Sequence, residues 1–219
     1  PGRDAVRVIC AGAPPPSRTI QRIEEELGWE FIQIYGLTET SPLLTINRRR
    51  PEEDALSSED AAKRLSRAGT PALGVSIKIS DQGEVLARSN VVLAGYWDQP
   101  EATADALEGG WFHTGDGGVL DDEGYVTISD RKKDVIITGG ENVSSIEVED
   151  CMFSHPAVSE VAVIGVPSEK WGETIKALVV LSGEATEAEL IAHCKSRLAG
   201  YQAPTSVDFR DEIPRTATG

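Results

Sequence analysis

Positive charge is scarce in this 219-residue chain: 21 lysines and arginines face 36 aspartates and glutamates, a formal net charge of −15 at pH 7. That balance excludes nucleic acid or an anionic membrane as a general partner and gives a solubilising acidic surface. Any bound anion needs local cations, so Arg131, Lys132 and Lys133 stand out. Cysteine is scarce too. Cys10, Cys151 and Cys194 are odd in number and far apart, so they suggest no disulfide framework, and a reduced, cytoplasmic setting is expected. The three histidines, His113, His155 and His193, make no metal-ligand pattern with them. His193 and Cys194 are adjacent, and on a helix adjacent side chains point about 100° apart. No signal peptide, no apolar run long enough for an integral membrane segment, no internal repeat and no low-complexity tract is visible, and the first residue is Pro1 rather than Met.

What is present is a succession of three patterns. Residues 5–10 read as a short apolar strand leading into the turn-forming run at 11–16. Ser17 reads as the N-cap of a helix with Ile20, Ile23 and Leu27 on one face, stopped by Gly28. Residues 31–35 then read as a buried strand, and strand–helix–strand suits an α/β layer. Residues 47–67 are polar and read as a surface insertion with one short helix, ended by Gly69. From Val75 short strands alternate with turn signals at Asp81-Gln-Gly83 and Asp121-Asp-Glu-Gly124, a β module with Trp97 and Trp111 expected in its core. Beyond Asp130, Ser144-Ser-Ile-Glu147 reads as a capping box, 158–166 and 174–181 as strands, and 187–198 as a helix with Leu190, Ile191, Cys194 and Leu198 on one face. This is a separate small α+β domain, with the boundary at 131–134.

Four strings carry the chemistry. Tyr35-Gly-Leu-Thr-Glu-Thr40 follows a strand, where α/β sheets place ligand crevices. Gly36 allows close backbone approach to a base or phosphate, Thr38 offers a hydroxyl to phosphate oxygens, and Glu39 is a hard oxygen ligand suited to Mg²⁺. The aspartate of Thr114-Gly-Asp116 can accept from both vicinal hydroxyls of a ribose. Asp130-Arg-Lys-Lys-Asp134 precedes a strand that ends in Gly139-Gly-Glu-Asn142, and the chain closes on Ile213-Pro-Arg-Thr-Ala-Thr-Gly219. Taken singly, each string also suits an ordinary turn. Glu147, Glu149, His155 and Trp171 read as capping, polar-face, helix-terminating and packing residues.

In this order the strings resemble the motifs of the adenylate-forming (AMP-binding) superfamily, in its acyl-CoA synthetase or fatty-acid–CoA ligase branch. The resemblance implies that 1–130 is the rear of the large domain, an α/β layer plus a β module at about 70–130. Residues 131–134 would be a hinge centred on Lys133, and 135–219 most of a small C-terminal domain. It implies a catalytic pair in Thr38, on the α-phosphate, and Glu39, on the metal. Tyr35 and Gly36 would flank the adenine, with Gly12, Ala13 and Pro14 on its other side. Asp116 would hold the ribose, Arg131 its phosphate side, and Ile128 would complete the nucleotide site. Gly139, Gly140 and Glu141 would wall a tunnel for CoA. The substrates implied are a carboxylic acid, ATP (leaving as AMP) and CoA, with Mg²⁺. Oligomeric state is not implied.

Two family elements do not occur in the 219 residues: the Ser/Thr/Gly-rich phosphate loop, and the catalytic lysine that follows the closing glycine in the family. The chain is therefore expected to be a piece of such an enzyme and, alone, to be inactive in acid-dependent ATP–pyrophosphate exchange. Two other readings compete, a carrier-protein-loading adenylation domain and a non-catalytic nucleotide- or acyl-binding module. The Gly139 loop and the 130–134 string favour the CoA-dependent branch.

Overall fold

β1 (Arg7–Cys10) is followed by α1 (Ser17–Leu27) and β2 (Glu30–Tyr35), which returns parallel to β1 with Val8 opposite Phe31. The helix begins at Ser17 itself with Pro16 in the cap position, so Ser17 is not the N-cap that the spacing suggested. Gly28 closes it at φ 65°, a left-handed turn that glycine adopts without strain. Ile20 is buried, whereas Leu27 stays about half exposed at the helix end. The computed structural model describes residues 6–13, 15–131 and 134–214. It separates into two units, 1–132 and 133–219.

In the first unit β3 (Thr45–Arg48) pairs antiparallel with β2, α2 (Ser58–Leu65) packs beside α1, and β4 (Thr70–Pro71) completes the sheet β1-β2-β3-β4. Residues 47–67 are thus no surface insertion. Ala62 and Leu65 pack with Ile20 and Phe31 in one buried cluster. Asn47, itself buried, donates from Nδ2 to the carbonyls of Arg64 (2.6 Å) and Arg67 (2.9 Å), satisfying groups at the end of α2 that the helix leaves open. A core face built from alanines and one leucine carries too little hydrophobicity to show in a polar sequence.

The second sheet of this unit is an antiparallel meander of β5 (Ser76–Ile79), β6 (Glu84–Arg88), β7 (Phe112–Leu120) and β8 (Val126–Arg131), with α3 (Pro100–Ala106) in the long connection before β7. Its tight turns fall at the two Asp–Gly signals, where Gly83 and Gly124 sit at φ 78° and 80°. Ala68, Val85 and Val126 form its core, with Tyr35, Ile77, Ile79 and Ile128 packed around them. The tryptophans do not fill it. Trp97 is 93% exposed in the loop before α3, and Trp111 precedes β7 with Lys78 and Arg88 cations 4.5 and 4.6 Å from its ring. Neither lies within a strand, so pleat alternation does not turn either inward. The largest fully buried side chain is Tyr125, with the Arg67 guanidinium 3.9 Å from its ring centre.

The second unit opens with the hairpin β9 (Ile136–Thr138) and β10 (Glu141–Val143), then α4 (Ser145–Phe153), β11 (Val158–Ser168), β12 (Gly172–Leu181), α5 (Glu187–Lys195) and β13 (Ser206–Phe209). The sheet order is β10-β9-β12-β11, with β13 parallel to β12. Ser144 and Thr186 cap the two helices, and Glu189 completes a capping box. Both helices bury residues in one cluster that includes Val148, Met152, Leu190 and Cys194 with Ile175, Ala177 and Val179 of the sheet. Glu149 is not a free polar-face residue, because its carboxylate accepts the Val163 N–H at 2.8 Å and ties α4 to β11.

His193 on α5 lies with Nε2 2.8 Å from Ser154 Oγ and 3.1 Å from the Cys151 carbonyl. Burial, then the charge of Arg197, lowers its pKa below the ordinary 6.5. Between the lowered folded value and 6.5 the unfolded chain binds the more protons, so stability falls as pH drops through that window. The expected result is a melting midpoint for this unit that declines below pH 6.5, with a flatter profile in His193→Gln. A pH-independent midpoint in the native chain would contradict it.

Candidate active site

Because β1 and β2 are parallel and Cys10 pairs with Gln33, the segments after both strands emerge at the same end of the sheet. That brings Gly12 and Ala13, both exposed, to the edge where Tyr35, Gly36, Thr38 and Glu39 lie. Pro14, assigned to the same wall by sequence, lies outside the described residues, as do Lys132, Lys133 and 215–219.

Tyr35, the last residue of β2, donates from its hydroxyl to Asp116 Oδ2 at 2.7 Å across the two sheets of the unit. Asp116 sits on β7 directly opposite Arg131 on β8, and Arg131 Nε is 3.8 Å from Asp116 Oδ1. The sequence reading gave Asp116, Arg131 and Tyr35 separate places around a nucleotide; the structure joins them in one cluster, with Tyr35 81 residues from Asp116 in sequence. Asp116 is buried. Burial raises its pKa, against the opposing effects of the Tyr35 hydrogen bond and the Arg131 charge. Burial, then the charge of Asp116, raises that of Tyr35, which stays a neutral donor. One carboxylate oxygen is thus held by Tyr35 while the other faces the exposed Arg131.

The stretch of β7 carrying Asp116 is braced by Glu84, whose carboxylate accepts the Gly115 N–H at 2.9 Å and lies 3.2 Å from His113 Nδ1. Thr114 Oγ1 donates to the Val85 carbonyl at 2.7 Å and accepts the Asp116 N–H at 3.1 Å. Sequence reasoning missed Glu84, which reads as an ordinary strand residue. Its one signal is a carboxylate opening an otherwise apolar stretch that ends up buried. Ile128 packs against the cluster of Ala68, Val85 and Val126, so its contact is with the core of the β module.

Thr38 and Glu39 form a single 3-10 turn with Thr40. Thr38 is exposed, and Glu39 is half-buried with Oε1 accepting the Tyr96 hydroxyl at 3.0 Å. Thr40 is fully buried, its hydroxyl bonded to both the N–H and the carbonyl of Leu37. Gly36 has a reason for being glycine that the sequence did not disclose: a Cβ there would lie 1.7 Å from the Pro42 carbonyl oxygen. Its own chain occupies the space.

A magnesium ion at this turn can be tested against the donors. Among the described residues no group of three or more histidine, cysteine, aspartate or glutamate side chains converges. Glu39 alone, with one oxygen committed to Tyr96, fits an ion that takes a single carboxylate and completes its shell with phosphate and water, the usual habit of Mg²⁺.

In the second unit Gly139 and Gly140 form the two-residue turn of the β9–β10 hairpin at φ 60° and 88°. Both need positive φ, which explains glycine without any ligand. Yet they differ. A Cβ on Gly139 would press on the Trp171 ring at 3.1 Å, and the Gly139 N–H donates to the Trp171 carbonyl, whereas a Cβ on Gly140 meets nothing within 4 Å. Glu141 is exposed beside them.

Comparison with known proteins places the chain in a family. Residues 2–97 match the family model of the AMP-binding enzyme, and 147–219 match that of the AMP-binding enzyme C-terminal domain. A long-chain-fatty-acid–CoA ligase of Mycobacterium tuberculosis is 43% identical over 221 residues, covering 96% of this chain and 42% of the ligase. Probable acyl-activating enzyme 6 of Arabidopsis thaliana is 40% identical over 232 residues, covering 98% of this chain and 42% of the relative. The O-succinylbenzoate coenzyme A synthetase of Bacillus subtilis, solved with AMP, superposes with a TM-score of 0.81 at 33% identity over 97% of this chain and 44% of that one. The chain spans less than half the length of these relatives. It belongs to the AMP-binding enzyme family, and the relatives it matches include acyl-activating enzymes and CoA ligases.

Proposed function

We propose that this chain is the rear part of an ATP-dependent acyl-CoA synthetase, which converts a carboxylic acid, ATP and CoA to acyl-CoA, AMP and pyrophosphate through an acyl-adenylate. The observation that carries the reading is the Tyr35–Asp116–Arg131 cluster at the C-terminal end of β2, within reach of the Thr38–Thr40 turn. Asp116 offers its second oxygen to the ribose hydroxyls, oriented by Tyr35, while Arg131 balances its charge and faces the phosphate side. Thr38, exposed on the turn, donates to the α-phosphate. Glu39 would hold Mg²⁺, which when bound supplies charge neutralisation of the phosphates, and Tyr96 fixes that carboxylate in place. Gly12 and Ala13 border the base opposite Tyr35. Residues 1–130 then act as the rear of the nucleotide-binding domain, 131–134 with Lys133 as the hinge, and 135–219 as the small domain.

The hairpin turn at Gly139 and Gly140, with Glu141, is the proposed wall of the CoA channel. Support comes from the open space over Gly140, which Trp171 does not fill. In the complete enzyme Gly140→Leu should leave acyl-adenylate formation within about threefold and slow transfer to CoA by at least about tenfold, since about 1.4 kcal/mol of lost contact is a factor of ten. A leucine at φ 88° also costs about 1–2 kcal/mol in backbone strain, so the melting midpoint is measured alongside. Equal slowing of both half-reactions would make the hairpin a structural turn only.

The reaction itself is tested on the full-length polypeptide with a panel of carboxylic acids. AMP and acyl-CoA should appear in equal amounts with at least one acid. Adenylate formation without transfer to CoA, but with transfer to a carrier protein's thiol, would support the carrier-loading alternative. Absence of AMP with every acid would overturn the enzyme reading.

A further inference from the structure

A cavity of about 640 Å³ lies beside β3 and β4, on the face of the first sheet turned away from α2. That volume falls in the range of about 300–1,000 Å³ usual for small-molecule sites. The pleat sets the side: Asn47 reaches the end of α2, so its strand neighbours Ile46 and Arg48 point to the opposite face. In a chain of net charge −15, the charged residues lining this cavity, among those described, are Arg48, Arg49 and Arg50 against Glu30. Glu30 is already committed, with Oε2 accepting from Arg7 at 2.8 Å and Oε1 accepting from Arg48. Arg49 Nε is buried without a hydrogen-bond partner, 3.8 Å from Asp54 Oδ1. The Arg50 guanidinium lies 4.8 Å from the centre of the Tyr125 ring and, among the described residues, pairs with no carboxylate. Ile46 and Leu73, both exposed, supply an apolar wall. We propose that this cavity is a binding site, distinct from the nucleotide crevice, for a small phosphate monoester whose alcohol part is apolar or aromatic.

The charges suit that class of ligand. A phosphate monoester carries about −1.5 to −2 at pH 7, and three arginines against one glutamate leave an excess of positive charge at the cavity to match it. Held over the Tyr125 ring, the Arg50 guanidinium keeps its N–H groups at the edge of its plane, in the fork that meets two phosphate oxygens at once. Tyr125 is itself fixed, since it is fully buried and the Arg67 guanidinium lies against the same ring. A phosphate oxygen would give Arg49 Nε the partner it lacks and remove the cost of a buried donor left unpaired. Ile46 and Leu73 stay open to water until an apolar group covers them. The position separates this site from the adenylation chemistry. Glu30 opens β2 and Tyr35 ends it, so at about 3.3 Å per residue the charged end of the cavity lies roughly 16 Å along the strand from the Tyr35–Asp116 pair.

The test uses the native 219-residue chain, isotope-labelled for amide NMR, with phenyl phosphate as the probe. Inorganic phosphate, benzyl alcohol and benzoate serve as comparisons, each lacking the apolar group, the charge or the second charge. Phenyl phosphate should shift the amide signals of Arg48, Arg49, Arg50, Ala72 and Leu73, and it should bind at least about tenfold more tightly than any of the three. Arg50→Gln should weaken it by at least about tenfold as well. Leu73→Ser should weaken phenyl phosphate and leave inorganic phosphate unchanged. Arg22→Gln, at an exposed arginine of α1 paired with Glu26, should change neither. Saturating AMP should not displace the probe. The proposal is overturned if phenyl phosphate shifts no amide or shifts those around Asp116 and Arg131, or if AMP displaces it. It is overturned equally if inorganic phosphate or benzoate binds as tightly, or if Arg50→Gln and Arg22→Gln bind alike. Because signals of the native chain locate the probe, poor folding of a variant does not change the result. The site needs neither ATP nor CoA, so it can fail while the synthetase reading holds, and the reverse.

Discussion

Asp116→Ala in the complete enzyme is expected to weaken ATP binding or the adenylation half-reaction by roughly ten- to a hundred-fold. The carboxylate is a charged acceptor for the ribose hydroxyls, and hydrogen bonds to charged groups contribute about 1.5–3 kcal/mol, at about 1.4 kcal/mol per factor of ten. The variant also leaves the Tyr35 hydroxyl without its acceptor in a buried place, so a loss of fold must be separated from a loss of site. Tyr35→Phe makes that separation, because it removes the same hydrogen bond but keeps the carboxylate. Single-turnover adenylation and ATP binding are measured for both, together with denaturant midpoints. If Asp116→Ala and Tyr35→Phe lose the same affinity, the carboxylate acts through Tyr35 and does not meet the ribose. If Asp116→Ala changes affinity less than twofold, the assignment is wrong.

The second large effect is one of stability. Gly36→Ala would put a methyl group 1.7 Å from the Pro42 carbonyl oxygen and 2.4 Å from its carbon, both backbone atoms. No side-chain rotation relieves that contact, so the 36–43 turn must move as a whole. Overpacking commonly costs about 1–3 kcal/mol and occasionally more. A cost of at least about 3 kcal/mol is expected here, and the shifted turn should carry Thr38 and Glu39 out of register with Asp116. Gly74→Ala is the control. Its added Cβ meets nothing within 4 Å, so it bears only the strain of φ 80°. Urea unfolding of the first unit should separate the two variants clearly. Equal midpoints would mean that the turn yields without cost.

The local patterns were sufficient for much of the architecture. Turn chemistry placed both hairpins of the β module, and apolar periodicity located β2, β11, β12, α1 and α5 to within a few residues, because these signals act between neighbours in sequence. Where packing partners are distant the sequence was silent. α2 looked like solvated surface until Ile20 and Phe31 were seen to cover its alanines. The tryptophans looked like core until the sheet was filled by Val85, Val126 and their neighbours.

For the site, the order and residue types of the motifs by themselves determined the family and named Thr38, Glu39, Asp116, Arg131 and the Gly139–Gly140 turn. That information is local, since each motif is a short run whose chemistry depends on its own side chains. Only the tertiary structure decided that Tyr35 donates to Asp116, that Glu84 braces the strand beside it, that Tyr96 holds Glu39, and that the Pro42 backbone leaves no room for a side chain on Gly36. Apart from the approach of Gly36 to Pro42 inside one turn, these contacts join different strands and loops, and which donor meets which acceptor depends on how those elements are placed. No spacing within one segment encodes that placement; contacts such as Tyr35 packing against Ala68, Val85 and Val126 do.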